Sequence, residues 1–183
     1  THVDQPIGLF YGLEYLGLYT QEDLDDPSVP KYPGVQLGSP KFTDANENGR
    51  IDDFSDYILI GNPHPKFSFG MTNTMNYRDF DLNIIIAGAY GQDIIDFNRQ
   101  WSHNLRGVWA LDREVLDRYR PGDDPSTKRV PTTVNGAYGK WFKPNSTWVF
   151  DGSYLTVRNI TLGYTFPQNN VFRNLRLYIT LQN

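Results

Sequence analysis

The stretch 67–90 constrains this chain more than any other. From Phe67 to Tyr77 the odd positions are Phe67, Phe69, Met71, Asn73, Met75 and Tyr77, and the even positions are Ser68, Gly70, Thr72, Thr74 and Asn76. Successive strand side chains point to opposite faces, so this alternation predicts one strand with an oily face and a small, polar face. Arg78-Asp79 interrupts it, and the pattern resumes in even register with Phe80, Leu82, Ile84, Ile86, Gly88 and Tyr90. Two alternating runs joined by about two polar residues predict a tight antiparallel hairpin.

Aromatic residues (Phe67, Phe69, Tyr77, Phe80, Tyr90) gather near both ends of the oily face, with aliphatic residues and Met between them. Strands of about ten residues with that pattern suit a transmembrane β-barrel, whose greasy band runs between aromatic girdles around a polar lumen. A soluble antiparallel sheet with one buried face alternates in the same way, so the hairpin alone leaves both open.

Composition narrows the choice. With 39% hydrophobic residues, a mean hydropathy of −0.53 and no apolar run near the length of a membrane helix, a helical membrane protein is excluded. A barrel is not, because alternation hides its strands from hydropathy averages. The 16 Gly and 12 Pro predict many turns. There is no cysteine, hence no disulfide frame and no thiolate metal site. A net charge of −4 and a pI near 5.3 argue against a nucleic-acid partner. The chain starts at Thr1 and stops at Asn183 in mid-pattern, which reads as a piece of something longer.

Residues 7–19 (IGLFYGLEYLGLY) read as one strand, with Gly8, Gly12 and Gly17 marking bulges or close backbone approach. Residues 20–40, with four prolines, read as irregular loop whose Glu22, Asp23, Asp25 and Asp26 are solvated. The sharpest local motif follows at 44–56, DANENGRIDDFSD. Oxygen donors at Asp44, Asn46 and Asn48, then Gly49, Arg50, Ile51 and Asp52, reproduce the front of a calcium loop. Ca²⁺ needs several oxygens, and a glycine permits the sharp turn that brings them round. The twelfth position is Ser55, where a carboxylate is usual, and Asp56 comes one place later. Asx-turns that need no metal are the other reading of the same residues.

After Tyr90 regular alternation stops for some sixty residues. Within them 108–119 has Leu111, Val115, Leu116 and Tyr119 at helical spacing and predicts a short helix, stopped by Pro121-Gly122. Trp101, Trp109, Tyr138, Trp141 and Trp148 lie in this excursion as candidate ligand contacts. Aromatics on long loops suit sugar or peptide stacking. Packing the loop against a barrel mouth would use them as well.

Strand pattern returns at 153–167, where Ile160, Leu162, Tyr164 and Phe166 face one way and Leu155 and Val157 are out of register. Either a bulge lies near Arg158-Asn159, or the upper part of the strand stands outside the membrane. After a turn at 167–174, Leu175, Leu177, Ile179 and Leu181 alternate with Arg176, Tyr178, Thr180 and Gln182. Such a strand needs a partner beyond this sequence, because a free edge invites pairing with other chains. Short and long connections alternate along the chain, as the periplasmic turns and extracellular loops of a barrel do.

The ordered set Gly8-Leu-Phe-Tyr-Gly12, the 44–52 aspartate loop, Ile60-Gly-Asn-Pro63-x-Pro65-Lys66, Tyr77-x-x-Phe80-Asp-Leu82 and Asp151-Gly-Ser-Tyr-Leu155-x-x-Arg158-Asn-Ile-Thr-Leu-Gly-Tyr164 resembles the C-terminal part of SusC/RagA-type transporters. These are the TonB-dependent outer-membrane transporters of Bacteroidetes. The resemblance runs from about Gly8 to the last residue and is weakest over 97–148. It implies an all-β fold, an antiparallel transmembrane barrel segment of about five strands from a large, 22-stranded, plugged barrel. On this reading residues 1–183 are one C-terminal barrel portion, with the plug domain and earlier strands absent. It also implies a location in the outer membrane, in contact with its lipid, and a SusD-like surface lipoprotein as lid. The TonB–ExbB–ExbD complex would supply energy, and oligosaccharides or peptides would be the cargo.

In the family the aspartate loop ends in a single Asp closer to the Gly. The extra residue before Asp56 bears on any Ca²⁺ held by Asp44, Asn46, Asn48, Arg50, Asp52 and Asp56. No cofactor is otherwise implied. The alternative function is a soluble β-rich carbohydrate-binding or adhesion module with a calcium-stabilised loop; it would fold alone in water. No enzyme is expected: His2, His64 and His103 are scattered, no HExxH or GxSxG occurs, and the Asp pairs sit in loops.

Overall fold

The structure, a computed structural model, describes residues 5–105, 108–132, 138–168 and 173–183. In chain order it contains β1 (Phe10–Gly12), β2 (Tyr15–Leu18), α1 (Gln21–Asp25), β3 (Pro40–Phe42), β4 (Ile58–Gly61), β5 (Phe67–Tyr77) and β6 (Phe80–Tyr90). There follow β7 (Asp93–Ile95), α2 (Arg99–Ser102), α3 (Tyr138–Trp141), β8 (Val149–Asp151), β9 (Tyr154–Phe166) and β10 (Leu175–Gln182). Two compact units result: a loop unit, Thr1–Pro63 with Asp93–Phe150, and a sheet unit, His64–Gln92 with Asp151–Asn183. No helix among the described residues is long and apolar enough to cross a membrane.

The sheet unit is one antiparallel sheet in the order β10-β9-β6-β5. The expected hairpin forms in register from Phe67↔Tyr90 to Tyr77↔Phe80, and Arg78 makes the turn with a φ of 54°. β9 carries a bulge: Ile85 pairs with Asn159 and Ile86 with Val157, leaving Arg158 as the extra residue. The bulge returns Val157 and Leu155 to the oily side, which resolves the change of register within this strand. The 167–174 turn lies partly outside the described residues.

Each face of this sheet has one character. On one side Met71, Met75, Leu82, Ile84, Ile86, Ile160, Leu162, Leu177, Ile179 and Leu181 form an aliphatic band. Phe67 packs on Phe69 and Tyr90 at one end, and Phe80, Tyr164 and Phe166 pack together at the other. Ten residue steps from Phe80 to Tyr90 span about 33 Å of strand, or about 25 Å along a barrel axis at a tilt of about 40°. That is the height of a lipid-facing band. The opposite face is bound to itself by polar contacts: Asn83 Nδ2 donates to Thr74 Oγ1 at 2.9 Å, and the hydroxyls of Thr161 and Thr180 lie 3.0 Å apart. Met71, Met75, Leu177 and Ile179 all stay exposed. A sheet with one greasy face of this height between aromatic ends and one polar face suits a lipid-facing barrel wall.

Among the described residues four long strands form the sheet. The run 7–19 is instead split into β1, paired with β4, and β2, paired with β3, both in the loop unit. Its glycines are the cause. A Cβ on Gly12 would collide with the Pro144 carbonyl, and Gly17 has a φ of 124° at an irregularity of the β2–β3 pairing. The expected helix at 108–119 is reduced to one 3-10 turn, Arg113–Asp117. Asp112 caps it by accepting the Glu114 N–H, and the Tyr119 N–H turns away to the Val130 carbonyl. Only Val115 and Tyr119 of the apolar stripe are buried.

The 20–40 segment is more ordered than a loop rich in proline suggests. Thr20 and Asp23 form a reciprocal capping box that starts α1, and Asp23 also pairs with Lys41, so it is not solvated. Leu13, Tyr19, Tyr32, Phe42 and Ile51 make the core beneath.

Candidate functional site

The loop unit holds the side chains with chemical potential. Trp101 on α2 lies against Trp109, with centroids 4.9 Å apart and planes 50° apart, and the two residues are 47% and 49% exposed. Trp141 and Trp148 are 2% exposed. Trp148 packs edge-on against Phe97, and Trp141 against Tyr15 at 5.3 Å. Of the five aromatic candidates, therefore, two form an exposed pair and two are packing residues inside the loop unit. Tyr138 begins α3, and its side chain lies outside the described residues.

A cavity of about 540 Å³ opens in the same unit, lined by Tyr15, Arg99, His103, Glu114, Asp117 and Trp141 together with Arg129, Val130 and Thr147. Arg99 is almost wholly buried; it donates to the Thr147 carbonyl at 2.9 Å and forms an ion pair with Glu114. His103 is buried and stacked on Trp141, with Nε2 3.7 Å from Glu114 Oε2. Burial and the charge of Arg99 hold the imidazole below its ordinary pKa, against the opposing pull of Glu114, Asp112 and Asp96. Burial likewise pushes the Tyr15 phenol up. Sequence reasoning missed Arg99, Glu114, Asp117 and Arg129. The available signal was local: Arg99 and His103 are four residues apart, on one face of a helical turn.

The aspartate loop is closed by its own hydrogen bonds. Asp44 accepts the N–H groups of Asn48 and Gly49, Asn46 Oδ1 accepts from Asn48, and Asn48 Oδ1 accepts from Arg50. Asn48 Nδ2 reaches Asp52 at 3.3 Å. Asp56 is fully buried and takes N–H groups from Ala45, Asn46 and Asp52. Asp53 is bound by Lys140 and Lys143. Burial acts to raise its carboxyl pKa, but the Lys140 bond and both lysine charges win, and the net displacement is downward. Among the described residues no three His, Cys, Asp or Glu side chains come together as a metal site.

No family profile matches the sequence. Among curated proteins the chain is similar to TonB-dependent receptor P26 of Formosa agariphila, 28% identical over 99% of this chain and 18% of that protein. It is similar to TonB-dependent receptor P3 of the same organism, 26% identical over 98% of this chain and 17% of that protein. TonB-dependent receptor SusC of Bacteroides thetaiotaomicron is 24% identical over 78% of this chain and 14% of its own length. Among solved structures, the RagAB peptide importer in its closed-closed state superposes with a TM-score of 0.62 at 19% identity, over 96% of this chain and 19% of that one. Over nearly its whole length the chain is similar to the SusC/RagA-type TonB-dependent transporters, and its four-stranded sheet has the fold of a segment of their transmembrane β-barrel. The chain spans about a fifth of the length of the curated relatives that it matches.

Proposed function

We propose that this chain supplies barrel wall and outer loops to an active importer of glycans or peptides in the outer membrane. The observation that carries the reading is the two-faced single sheet: a lipid-facing band between aromatic ends on one side, a self-bonded polar surface on the other. In this reading the Arg78-Asp79 turn faces the periplasm. The chain is the C-terminal part of a plugged, 22-stranded barrel. TonB–ExbB–ExbD drives transport, and a SusD-like lipoprotein forms the lid. The exposed Trp101–Trp109 pair is the first surface to offer either cargo or lid. The chain does no chemistry on its cargo. Support for the lid comes from the likeness to SusC and to RagAB, and support for the cargo from the likeness to RagAB, a peptide importer.

The test is fractionation of the full-length protein in its native cell, followed by purification from detergent-solubilised outer membrane. Recovery there with a large lipoprotein supports the importer. Recovery as a soluble monomer overturns it.

We also propose a Ca²⁺ ion in the aspartate loop, held by Asp44, Asn46, Asn48, the Arg50 carbonyl, Asp52 and Asp56. What supports it is the order of oxygen donors around Gly49. The fit is partial, because the buried Asp56 is already committed to three backbone N–H groups. Calorimetric titration of the full-length protein with Ca²⁺ decides: heat lost on Asp44→Ala supports the ion, and no heat removes it.

A further inference from the structure

We propose that the cavity in the loop unit receives a carboxylate group of the incoming ligand, and that Arg129 binds it. Each charged residue lining this cavity has an ion-pair partner, with one exception. Arg99 pairs with Glu114, and Asp117 lies 3.7 Å from Lys128, which it shares with Asp123 at 3.8 Å. Arg129 is the remaining charged lining residue, and its guanidinium has no partner among the described residues. Its backbone is nevertheless fixed at the cavity wall, because the Tyr15 phenol donates to the Arg129 carbonyl at 2.9 Å. An anchored backbone with an uncommitted planar fork of N–H donors is suited to bidentate capture of a carboxylate.

The rest of the lining says what accompanies that group. Tyr15, Val130 and Trp141 give the ligand body an apolar and aromatic surface beside the guanidinium. The volume falls within the range of about 300–1,000 Å³ usual for small-molecule sites. Glu114 and Asp117 share the lining and would repel a ligand carrying many negative charges. The fitting ligand therefore bears one carboxylate next to a ring or apolar group. The C-terminus of a short peptide and a single uronic acid on a neutral oligosaccharide both meet that description. This inference rests on the importer reading for the origin of the ligand, not for the binding itself.

The experiment uses the detergent-solubilised full-length protein and two pairs of labelled probes in equilibrium dialysis. One pair is an N-acetylated tripeptide ending in phenylalanine, as free acid and as amide. The other is a neutral oligosaccharide ending in glucuronic acid, as free acid and as methyl ester. The acid of one pair should bind at least tenfold more tightly than its neutral form, and that pair identifies the source of the carboxylate. Arg129→Gln should abolish the preference, leaving acid and neutral probe bound equally. Since the residue is exposed and its guanidinium has no partner among the described residues, the variant should fold as the parent does. Equal binding of acid and neutral forms in both pairs, no binding of either acid, or a preference that survives Arg129→Gln would each overturn the proposal. Failure of the importer reading would appear separately, as recovery outside the membrane fraction, while the dialysis still reports on Arg129.

Discussion

Arg176 on β10 forks its guanidinium onto both carboxylate oxygens of Asp81 on β6, with Nε donating at 3.0 Å, across the intervening strand β9. The contact is possible because the residue between them is Gly163, which is paired to Asp81 on one side and to Tyr178 on the other. A Cβ at Gly163 would run into the Asp81 carboxylate and the Arg176 guanidinium. Gly163→Ala should therefore destabilise the sheet by about 1–3 kcal/mol, the usual cost of forcing extra volume into a filled site. Urea unfolding of the full-length protein in lipid vesicles would measure it.

The register of the hairpin makes a second prediction. Ile84 lies in the oily band and Asn83 on the polar face, where it is hydrogen-bonded to Thr74. In vesicles, Ile84→Lys should cost about 2–4 kcal/mol, because it places a charge near the middle of the hydrocarbon layer. Asn83→Lys should cost far less. Equal losses in the same unfolding assay would mean that the faces are assigned the wrong way round.

How much of this was legible in the sequence depended on the range of the interactions. The β5–β6 hairpin and the β9–β10 pair were legible because strand alternation is local, and both connections are short enough to fix the pairing. The break in β9 was legible as a change of register between Val157 and Ile160. Residues 7–19 pass for one strand because Gly12 owes its role to Pro144, more than a hundred residues away. The 108–119 helix fails for the same reason: the Tyr119 N–H finds Val130, a partner that periodicity does not contain. The cavity was invisible because Tyr15, Arg99, Arg129 and Trp141 come from four separate stretches of chain. Tryptophans were conspicuous by type alone, and type did not tell the exposed Trp101 and Trp109 from the buried Trp141 and Trp148.

Asp56 makes the third prediction. Its buried carboxylate accepts N–H groups from Ala45, Asn46 and Asp52 and so closes the aspartate loop. Asp56→Ala would remove the shared acceptor of these three donors, at a cost of about 1–3 kcal/mol for a donor left unsatisfied. Hydrogen exchange at residues 45–52 should accelerate accordingly.

The fourth prediction concerns pH, through His103. Burial and Arg99 hold its folded-state pKa below the ordinary value of about 6.5, while Glu114, Asp112 and Asp96 pull the other way with less effect. Below pH 6.5 the unfolded segment therefore binds a proton that the folded one resists. Stability from this residue is complete above about pH 6.5 and falls as the pH drops towards the folded pKa, by at most about 1.4 kcal/mol per pH unit. Asp53 acts in the same sense: its paired carboxylate, with its pKa lowered in the folded state, stabilises above its ordinary value, and that contribution is lost as the pH falls from there towards the folded pKa. Local opening at 99–104, followed by hydrogen exchange corrected for intrinsic rates, should grow easier between pH 7 and pH 5. His103→Gln should flatten that slope even if it lowers stability at every pH, whereas an unchanged slope would place the titrating group elsewhere.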